Sequence, residues 1–438
     1  MSLVEPVAIW IEGQSPRARY AADQLFTRLL GWSVRWAETT DELDPEARPC
    51  LTYSAAPIAG AFHLRPAGHL ASNADLVLDP PLTWRDGLPL LFPTEGDALG
   101  FDALAAAFFL LARVEEYQAL PCDAHGRALT SAFHAARHGC LHRPVVDEWA
   151  LLLAERWRAT DPRVPLPSRV YKQVITVDLD NGFKYKGRAL WRTLGAWARD
   201  AVKCEGHDVR ERWNVLRGRR PDPFELEPEL LDHFASSAQR RIAFILTADR
   251  SEWDHAVPVE HPAYTEYLST LATHAEIGLH PSYSTSETEG RTARERDRLQ
   301  RVIGTPIALS RQHFLRYRMP RTFREAIALG ITEEHSMGCH DQLGFRAGTC
   351  TPFAWYDLER DAATDLLIHP FAVMDNTLRD KLRLDPAAAV DAVRPIIESV
   401  KRVKGTFTGL WHESFLATTG KNRAWRESIL SIIREAAL

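Results

Sequence analysis

Two aspartates stand one residue apart at the end of an apolar segment that begins near Val174. Side chains alternate between the two faces of a β-strand, so Asp178 and Asp180 project from one face if this segment is a strand. Two carboxylates on a buried face repel each other, and they persist mainly where a cation or a shared proton compensates them. The pair therefore predicts a metal site with an adjacent proton acceptor. The alternative is that one aspartate only caps a turn at Asn181-Gly182.

Two histidines are candidate partners for this pair. His280 directly follows the apolar segment Glu276–Leu279, and His313 lies in the weaker segment Arg311–Leu315. Two imidazoles and one carboxylate leave a coordination position open for water, as hydrolytic zinc sites require. We predict Asp180, His280 and His313 as ligands of a divalent metal, with Zn²⁺ as the expected ion. Taken alone, His280 could be a surface residue and His313 a core residue with its own partners.

Further candidates lie near the end of the chain. The last apolar segment, Gly405–Trp411, leads into His412. A histidine at a strand end can protonate a leaving group, so we predict His412 as a general acid. Asp375 is predicted either to contact substrate or to hold His412 in one tautomer. Trp411 and Tyr283 complete the predicted substrate contacts.

Arg346 lies in a loop bounded by Gly344 and Gly348. A rigid loop of this kind can aim one guanidinium at a carboxylate and thereby fix a general base. We predict this role for Arg346. The alternative is a turn with an exposed arginine.

The elements that must position these residues alternate between strand and helix from about residue 168 to residue 438. Short β-branched or apolar runs are separated by helical patterns about seven times, which predicts a distorted (β/α)7 barrel. In such folds the functional residues lie at the carboxyl ends of the strands. The Trp- and Arg-rich stretch at about 184–239 predicts a helical insertion between the first two strands.

Residues 1–165 are predicted to form a smaller α/β domain whose role the sequence does not disclose. The proline-rich segment Asp161–Pro167 suits neither a helix nor a central strand and marks the predicted boundary.

The composition limits the binding partners and the cellular compartment that we expect for the protein. The 58 acidic and 53 basic side chains give a net charge of −5, which provides no general attraction for nucleic acid. No apolar run reaches the roughly 18 residues that a transmembrane helix needs. The N-terminus lacks the basic region of a signal peptide, and the six cysteines show no Cys-x-x-Cys pair, so we predict a reducing, cytoplasmic location. The oligomeric state stays open.

Together these residues resemble the polysaccharide deacetylase family, the carbohydrate esterases that remove N- or O-acetyl groups from sugars. The resemblance covers about residues 170–438 and implies a seven-stranded barrel, a divalent metal and an acetylated saccharide substrate. It further implies Asp178 as the base, Asp180 and His280 as ligands, Arg346 as the residue that orients the base, and the motif Leu410-Trp411-His412 as the acid. The whole layout is similar to a bacterial subgroup in which an uncharacterised domain precedes the barrel.

The chain departs from the family pattern at two places. The adjacent aspartates of the family are split here by Leu179, so Asp178 and Asp180 could exchange their roles as base and ligand. The family's second histidine falls on Ser284, and His313 is the inferred replacement. The alternative function is therefore a non-catalytic carbohydrate-binding or scaffold protein on a degenerate barrel. A hydrolase of non-sugar amides is a third hypothesis.

Overall fold

The computed structural model describes residues 5–71, 74–96, 98–188 and 206–437. Its strands form a four-stranded sheet near the N-terminus, a two-stranded hairpin and a nine-stranded sheet in the rest of the chain. This is a mixed α/β fold, which agrees with the predicted class at that level.

The N-terminal region contains an entirely parallel sheet in the order β2-β1-β3-β4. Its strands are β1 Val7–Ile11, β2 Val34–Ala37, β3 Cys50–Tyr53 and β4 Phe62–Leu64, followed by the hairpin of β5 Leu82–Arg85 and β6 Leu88–Leu91. Its helices are α1 Pro16–Ala22, α2 Ala103–Leu111, α3 His134–Arg137 and α4 Val145–Thr160. Helix α2 is apolar and buried along its whole length, and Asp102 caps it by accepting a hydrogen bond from the Ala105 backbone N–H.

The large sheet has the order β12-β13-β11-β10-β9-β8-β7-β15-β14. Its strands are β7 Lys172–Leu179, β8 Arg240–Leu246, β9 Glu276–His280, β10 Leu309–Ser310, β11 Glu333–Glu334, β12 Phe353–Asp357, β13 Ala362–Ile368, β14 Val373–Met374 and β15 Thr406–His412. All neighbouring strands are parallel except β12 and β13. The parallel sheet follows the predicted alternation, while its closure into a barrel stays a prediction.

Helices separate most of these strands. They are α5 Gly206–Leu216, α6 Pro228–Ser237, α7 Pro262–Leu271, α8 Arg291–Ile303, α9 Arg321–Ala328, α10 Pro386–Arg402 and α11 Arg423–Glu435. Helices α5 and α6 belong to the predicted insertion, of which residues 189–205 lie outside the described residues. Within the described ranges, no helix combines the length and the apolar character needed to cross a membrane.

Register brings the candidate residues to one edge of the sheet. His412 on β15 is paired with Asp178 on β7, and Leu246 at the end of β8 is paired with His280 on β9. Because these strands are parallel neighbours, their carboxyl ends meet at the same edge. Asp178, His280 and His412 are therefore neighbours, although they lie at least 102 positions apart in the chain.

The predicted strand at Arg311–Leu315 is wrong. The strand β10 is only Leu309–Ser310, and His313–Leu315 form a 3₁₀ turn in which Phe314 has a φ of 60°. The chain leaves the sheet after Ser310, and the His313 backbone N–H donates a hydrogen bond to the Pro281 carbonyl beyond the end of β9. His313 therefore reaches the strand ends from a turn.

A buried carboxylate joins the N-terminal region to the large sheet. Asp147 on α4 is fully buried and accepts hydrogen bonds from the Arg169 guanidinium and the Thr351 hydroxyl, each at 2.6 Å, and from the Thr349 hydroxyl at 2.6 Å. The Arg169 side chain is itself only 5% exposed. Loss of the carboxylate would leave a buried guanidinium without its counter-charge.

We expect Asp147→Ala to lower the free energy of unfolding by about 3–5 kcal/mol, because it breaks a buried ion pair on one side only. Chemical denaturation measures the loss. The matched control is Asp391→Ala, since Asp391 is 73% exposed and pairs with Arg394 on the surface; its expected effect is within about 0.5 kcal/mol. Equal losses in both variants would contradict the role given to Asp147.

Candidate metal centre

Asp178 is the second-last residue of strand β7 and forms a buried ion pair with Arg311. The Asp178 Oδ1 atom accepts a hydrogen bond from Arg311 Nη1 at 2.8 Å, and its Oδ2 atom lies 3.7 Å from His280 Nε2. Arg311 is fully buried, and it also donates to the Thr176 hydroxyl at 2.8 Å and to the His335 carbonyl at 3.0 Å. Three fixed acceptors thus hold the guanidinium, which in turn orients the Asp178 carboxylate.

Asp180 lies between two histidines. Its Oδ1 atom is 3.3 Å from His280 Nε2 and 3.7 Å from His313 Nε2, and the three donor atoms all lie within 4.8 Å of one another. Tetrahedral zinc ligands at about 2.0–2.1 Å from the ion lie roughly 3.3–3.4 Å apart, so the spacing suits such an ion. Asp180 Oδ1 is buried and has no hydrogen-bond partner in the described part of the chain. A buried carboxylate oxygen in this state fits a metal ligand.

Both histidines present the Nε2 atom because Nδ1 is engaged. His280 Nδ1 lies 2.6 Å from the Arg311 carbonyl oxygen, and His313 Nδ1 lies 2.9 Å from Asp254 Oδ1. An acceptor behind Nδ1 fixes the tautomer in which Nε2 carries the lone pair, as metal-bound histidines require. Asp254 is buried and also accepts a hydrogen bond from the Ser251 hydroxyl at 2.6 Å.

The electrostatics of this group favour a cation. Burial alone would raise the pKa of Asp180, but the charges of His313 and His412 and the interactions with the His280 and His313 imidazoles together hold that pKa well below its usual value. Burial alone would lower the pKa of His313, but the Asp180 and Asp254 carboxylates raise it to about 9. A bound cation would compete with this proton for the same Nε2 atom.

His412 faces the group from strand β15. Its Nδ1 atom lies 2.6 Å from Asp375 Oδ1, its backbone N–H donates to Asp375 Oδ2 at 2.6 Å, and its Nε2 atom lies 3.8 Å from Asp180 Oδ2. Although burial opposes the charged form, the Asp375 carboxylate raises the pKa of His412 to about 10. Asp375 is fully buried, so of the two predicted roles the structure supports that of holding His412.

Glu413 fixes the backbone that carries Asp180. This buried carboxylate accepts hydrogen bonds from the Asp180 N–H at 3.2 Å and from the Asn181 N–H at 2.7 Å. Burial, together with the nearby charge of Asp180, raises the pKa of Glu413 to about 7. Glu413 was not among the predicted site residues, although its position next to His412 at a strand end was a usable signal.

A cavity of about 310 Å³ opens onto these side chains. Its lining includes the predicted residues Asp178, Asp180, His280, His313 and His412. It also includes His125 and Arg127, which come from the N-terminal region and which the sequence did not indicate. The five predicted side chains therefore share one solvent-accessible cleft, and the catalytic and ligand roles assigned to them stay predictions.

The predicted contact between Arg346 and the base is wrong. The Arg346 guanidinium binds Glu116 at 2.7 and 2.9 Å and the Gly338 carbonyl at 3.2 Å. Its loop packs against the N-terminal region, where the Phe345 N–H donates to the Leu141 carbonyl. This packing turns Arg346 away from Asp178, and Arg311 makes the contact that was predicted for Arg346. Arg311 had a signal of its own, because it precedes His313 by two residues.

Two predicted substrate contacts lie away from the cleft. Trp411 is 1% exposed and belongs to the apolar core, because its side chain points to the opposite face of β15 from His412. Tyr283 is half-buried, and its hydroxyl lies 3.0 Å from His125 Nδ1. Trp411 is thus unavailable to a substrate, while Tyr283 supports a residue that lines the cleft. Ser284, at the family's second histidine position, binds Arg291 and takes no part in the group.

Comparisons with known proteins found one matching family model and several solved structures of low identity. A family of unknown function, DUF7033, matches residues 7–162. No curated protein matches the chain. A protein assigned as a polysaccharide deacetylase from Mycobacterium smegmatis is similar at 14% identity and a TM-score of 0.37, over 61% of this chain and 85% of that one. A polysaccharide deacetylase from Bacillus cereus is similar at 11% identity and a TM-score of 0.30, over 61% and 88%.

A pseudoenzyme of the CE4 family from Bacillus anthracis is also similar, at 8% identity and a TM-score of 0.28, over 61% of this chain and 62% of that one. Because each of these TM-scores is below 0.5, the similarities do not assign the chain to a family. The function is therefore inferred from the geometry of the cleft.

We expect Asp254→Asn to weaken zinc binding about 10–100-fold, because the amide no longer supports His313 as a carboxylate does. Competition with a chromophoric chelator measures the affinity. Asp249→Asn is the matched control in the same loop, since the Asp249 side chain is 79% exposed and pairs with Arg298. The same affinity in both variants would remove Asp254 from the site.

The Asp375–His412 pair predicts a pH dependence in the metal-free protein. The folded-state pKa of His412 is raised above the usual value of about 6.5, so the pair stabilises the fold fully below about pH 6.5 and loses this contribution as the pH rises through about 10. The stability difference between the wild type and Asp375→Asn should therefore shrink from pH 6 to pH 10. Denaturation across this range tests the sign, and a constant difference would refute it.

Proposed function

We propose that the chain is a metal-dependent hydrolase that removes an acetyl group from an N- or O-acetylated saccharide. One observation carries the proposal: Asp180 presents an unpartnered, buried carboxylate oxygen between two histidine Nε2 atoms, in a cleft that also holds Asp178 and His412. A ligand trio with a proton acceptor on one side and a proton donor on the other suits acyl transfer to water.

The donor set fits zinc. One carboxylate and two imidazoles with Nδ1 held by acceptors form a three-ligand set, which leaves a position for water or substrate. When bound there, a divalent ion supplies Lewis acidity, which polarises an acyl carbonyl and lowers the pKa of water. Asp180, His280 and His313 would hold this ion.

Asp178 suits the role of general base. Its Oδ2 atom faces His280 Nε2 at 3.7 Å, while its Oδ1 atom is held by Arg311 at 2.8 Å. One oxygen is thus fixed, and the other is directed toward the centre of the ligand group. In this position it can accept the proton of an attacking water. The fixed orientation removes the need for the carboxylate to reorganise during the reaction.

His412 suits the role of general acid. Asp375 holds its Nδ1 proton, and the raised pKa of about 10 keeps the imidazole protonated at neutral pH before a metal binds. Nε2 points toward Asp180 across the cleft and can deliver its proton to a departing amine or alkoxide. Asp178 and His412 therefore divide proton removal and proton delivery between them.

The alternative is a saccharide-binding protein without catalysis, which the serine at position 284 motivates. Metal content distinguishes the two functions. Stoichiometric zinc that is lost in His280→Ala and His313→Ala supports the hydrolase, whereas a metal-free protein that binds saccharide supports the alternative. The cytoplasmic location predicted from the sequence stays a prediction, which fractionation of producing cells tests.

The decisive assay is acetate release from tetra-N-acetylchitotetraose by the zinc-loaded protein. We expect Asp178→Asn and His412→Ala each to lower kcat by about 10²–10⁴-fold, because each removes one proton-transfer group. Zinc content should be retained in both variants, since neither residue belongs to the ligand trio.

Two surface variants serve as controls. Asp391→Asn and His142→Ala change the same residue types at exposed positions and should leave kcat unchanged. Acetate release that survives both Asp178→Asn and His412→Ala would overturn the mechanism. Absence of acetate release in a protein that holds stoichiometric zinc would overturn the proposed substrate class.

A further inference from the structure

A turn of the N-terminal region reaches the strand ends that carry the ligand group. His125 Nδ1 lies 3.0 Å from the Tyr283 hydroxyl, and the His125 carbonyl accepts a hydrogen bond from Arg316 Nε at 2.8 Å. Arg127 Nη1 donates to the Phe314 carbonyl at 3.1 Å. These bonds join positions 158 or more residues apart, so only the tertiary fold brings this turn to the cleft.

The turn is held in shape by Asp123. The Asp123 carboxylate accepts hydrogen bonds from the backbone N–H groups of His125 at 2.9 Å and Arg127 at 3.0 Å. The Arg127 guanidinium also donates two hydrogen bonds to this carboxylate, at 2.6 and 2.9 Å. Cys122 and Ala128 form an antiparallel bridge that closes the turn. His125 and Arg127 are therefore presented to the cleft by an ordered segment.

A second cavity of about 460 Å³ borders this turn. It shares the lining residues His125, Arg127 and Leu315 with the 310 Å³ cavity that holds the ligand group. Both volumes are in the range of ligand-binding cavities. Because both cavities border the same turn, a substrate longer than one sugar unit that extends along the turn can contact both.

The charges that line the second cavity do not cancel. Of the charged residues in its lining, Arg346 is matched by Glu116, which it binds at 2.7 Å. Arg127 is likewise matched by Asp123.

Within the described residues, the ion pairs of Arg316 and Arg318 involve a single carboxylate, that of Glu287. Glu287 lies 2.5 Å from Arg316 and 3.8 Å from Arg318, and the Arg318 side chain is 64% exposed. Arg318, which lines the second cavity with a largely exposed side chain, can thus bind an anionic ligand.

From these observations we infer that the cleft is built by both parts of the chain and selects an acidic oligosaccharide. The acetylated unit lies at the ligand group, His125 and Arg127 form the wall beside it, and a carboxylate on a neighbouring sugar unit binds Arg318. The inference rests on the proposed saccharide substrate and names its class. In this arrangement the N-terminal region helps to position the substrate in the cleft and to select it.

The test compares two N-acetylated tetrasaccharides, the acidic hyaluronan tetrasaccharide and the neutral tetra-N-acetylchitotetraose. Calorimetric titration uses the full-length, zinc-loaded chain with Asp178→Asn, so that turnover does not interfere. We expect the acidic ligand to bind roughly tenfold more tightly at low salt, with an advantage that falls as salt screens the charge. Arg318→Gln should remove most of this advantage and leave the neutral ligand unaffected, because it removes charge without changing the buried wall.

Two further variants complete the design. His125→Ala should weaken the binding of both ligands by a similar factor, because it alters the shared wall. Arg394→Gln is the matched control, since Arg394 is a half-exposed arginine with surface carboxylate partners; it should change neither affinity. Equal binding of the two ligands, no binding of either, or the same result for Arg318→Gln and Arg394→Gln would overturn the inference.

These outcomes separate the inference from the proposed function. If zinc binding or acetate release fails while the acidic ligand still binds through Arg318, the hydrolase is refuted and the acidic subsite stands. If zinc binding and acetate release are normal but charge makes no difference to affinity, only the acidic subsite is refuted.

Discussion

The buried negative charge at the carboxyl end of β7 is the constraint around which the rest of the cleft is arranged. Asp178 and Asp180 face the same space, and neither carboxylate could be buried there without compensation. Arg311 neutralises Asp178 through a direct ion pair. Among the described residues, the basic side chains recorded within 4 Å of the Asp180 carboxylate are the imidazoles of His280, His313 and His412, so its compensation comes from their protons or from a cation that replaces them.

A second layer of carboxylates adds to the negative charge that must be compensated. Asp254 lies behind His313, Asp375 lies behind His412, and Glu413 lies behind the backbone of Asp180. Together with the two aspartates of β7, five carboxylates lie in or behind the ligand group, and Arg311 pairs with one of them. An excess of buried acid over fixed base is the electrostatic signature of a cation site, and it also explains why both His313 and His412 have raised pKa values.

The site residues that could be predicted from the sequence are those that a local pattern marks. Asp178 and Asp180 were recognisable from period-two alternation, and His280 and His412 from their positions directly after apolar strands. The partners behind them were harder to predict. Asp254 lies in a loop without periodicity, and the orienting arginine was sought in the glycine-bounded loop at Arg346. That loop has the rigidity that the role needs, but its packing on Leu141 directs the guanidinium to Glu116.

The sequence by itself determined the mixed α/β class, the alternation of strands and helices and the side chains that lie at strand ends, because hydrophobic periodicity and β-strand geometry are local. Only the tertiary structure decided that Arg311 rather than Arg346 faces Asp178, that Trp411 is core, and that His125 and Arg127 line the cleft. These facts depend on strand order and on packing between segments more than a hundred residues apart. No local pattern records such contacts, since a residue's neighbours across the sheet are set by the path of the whole chain.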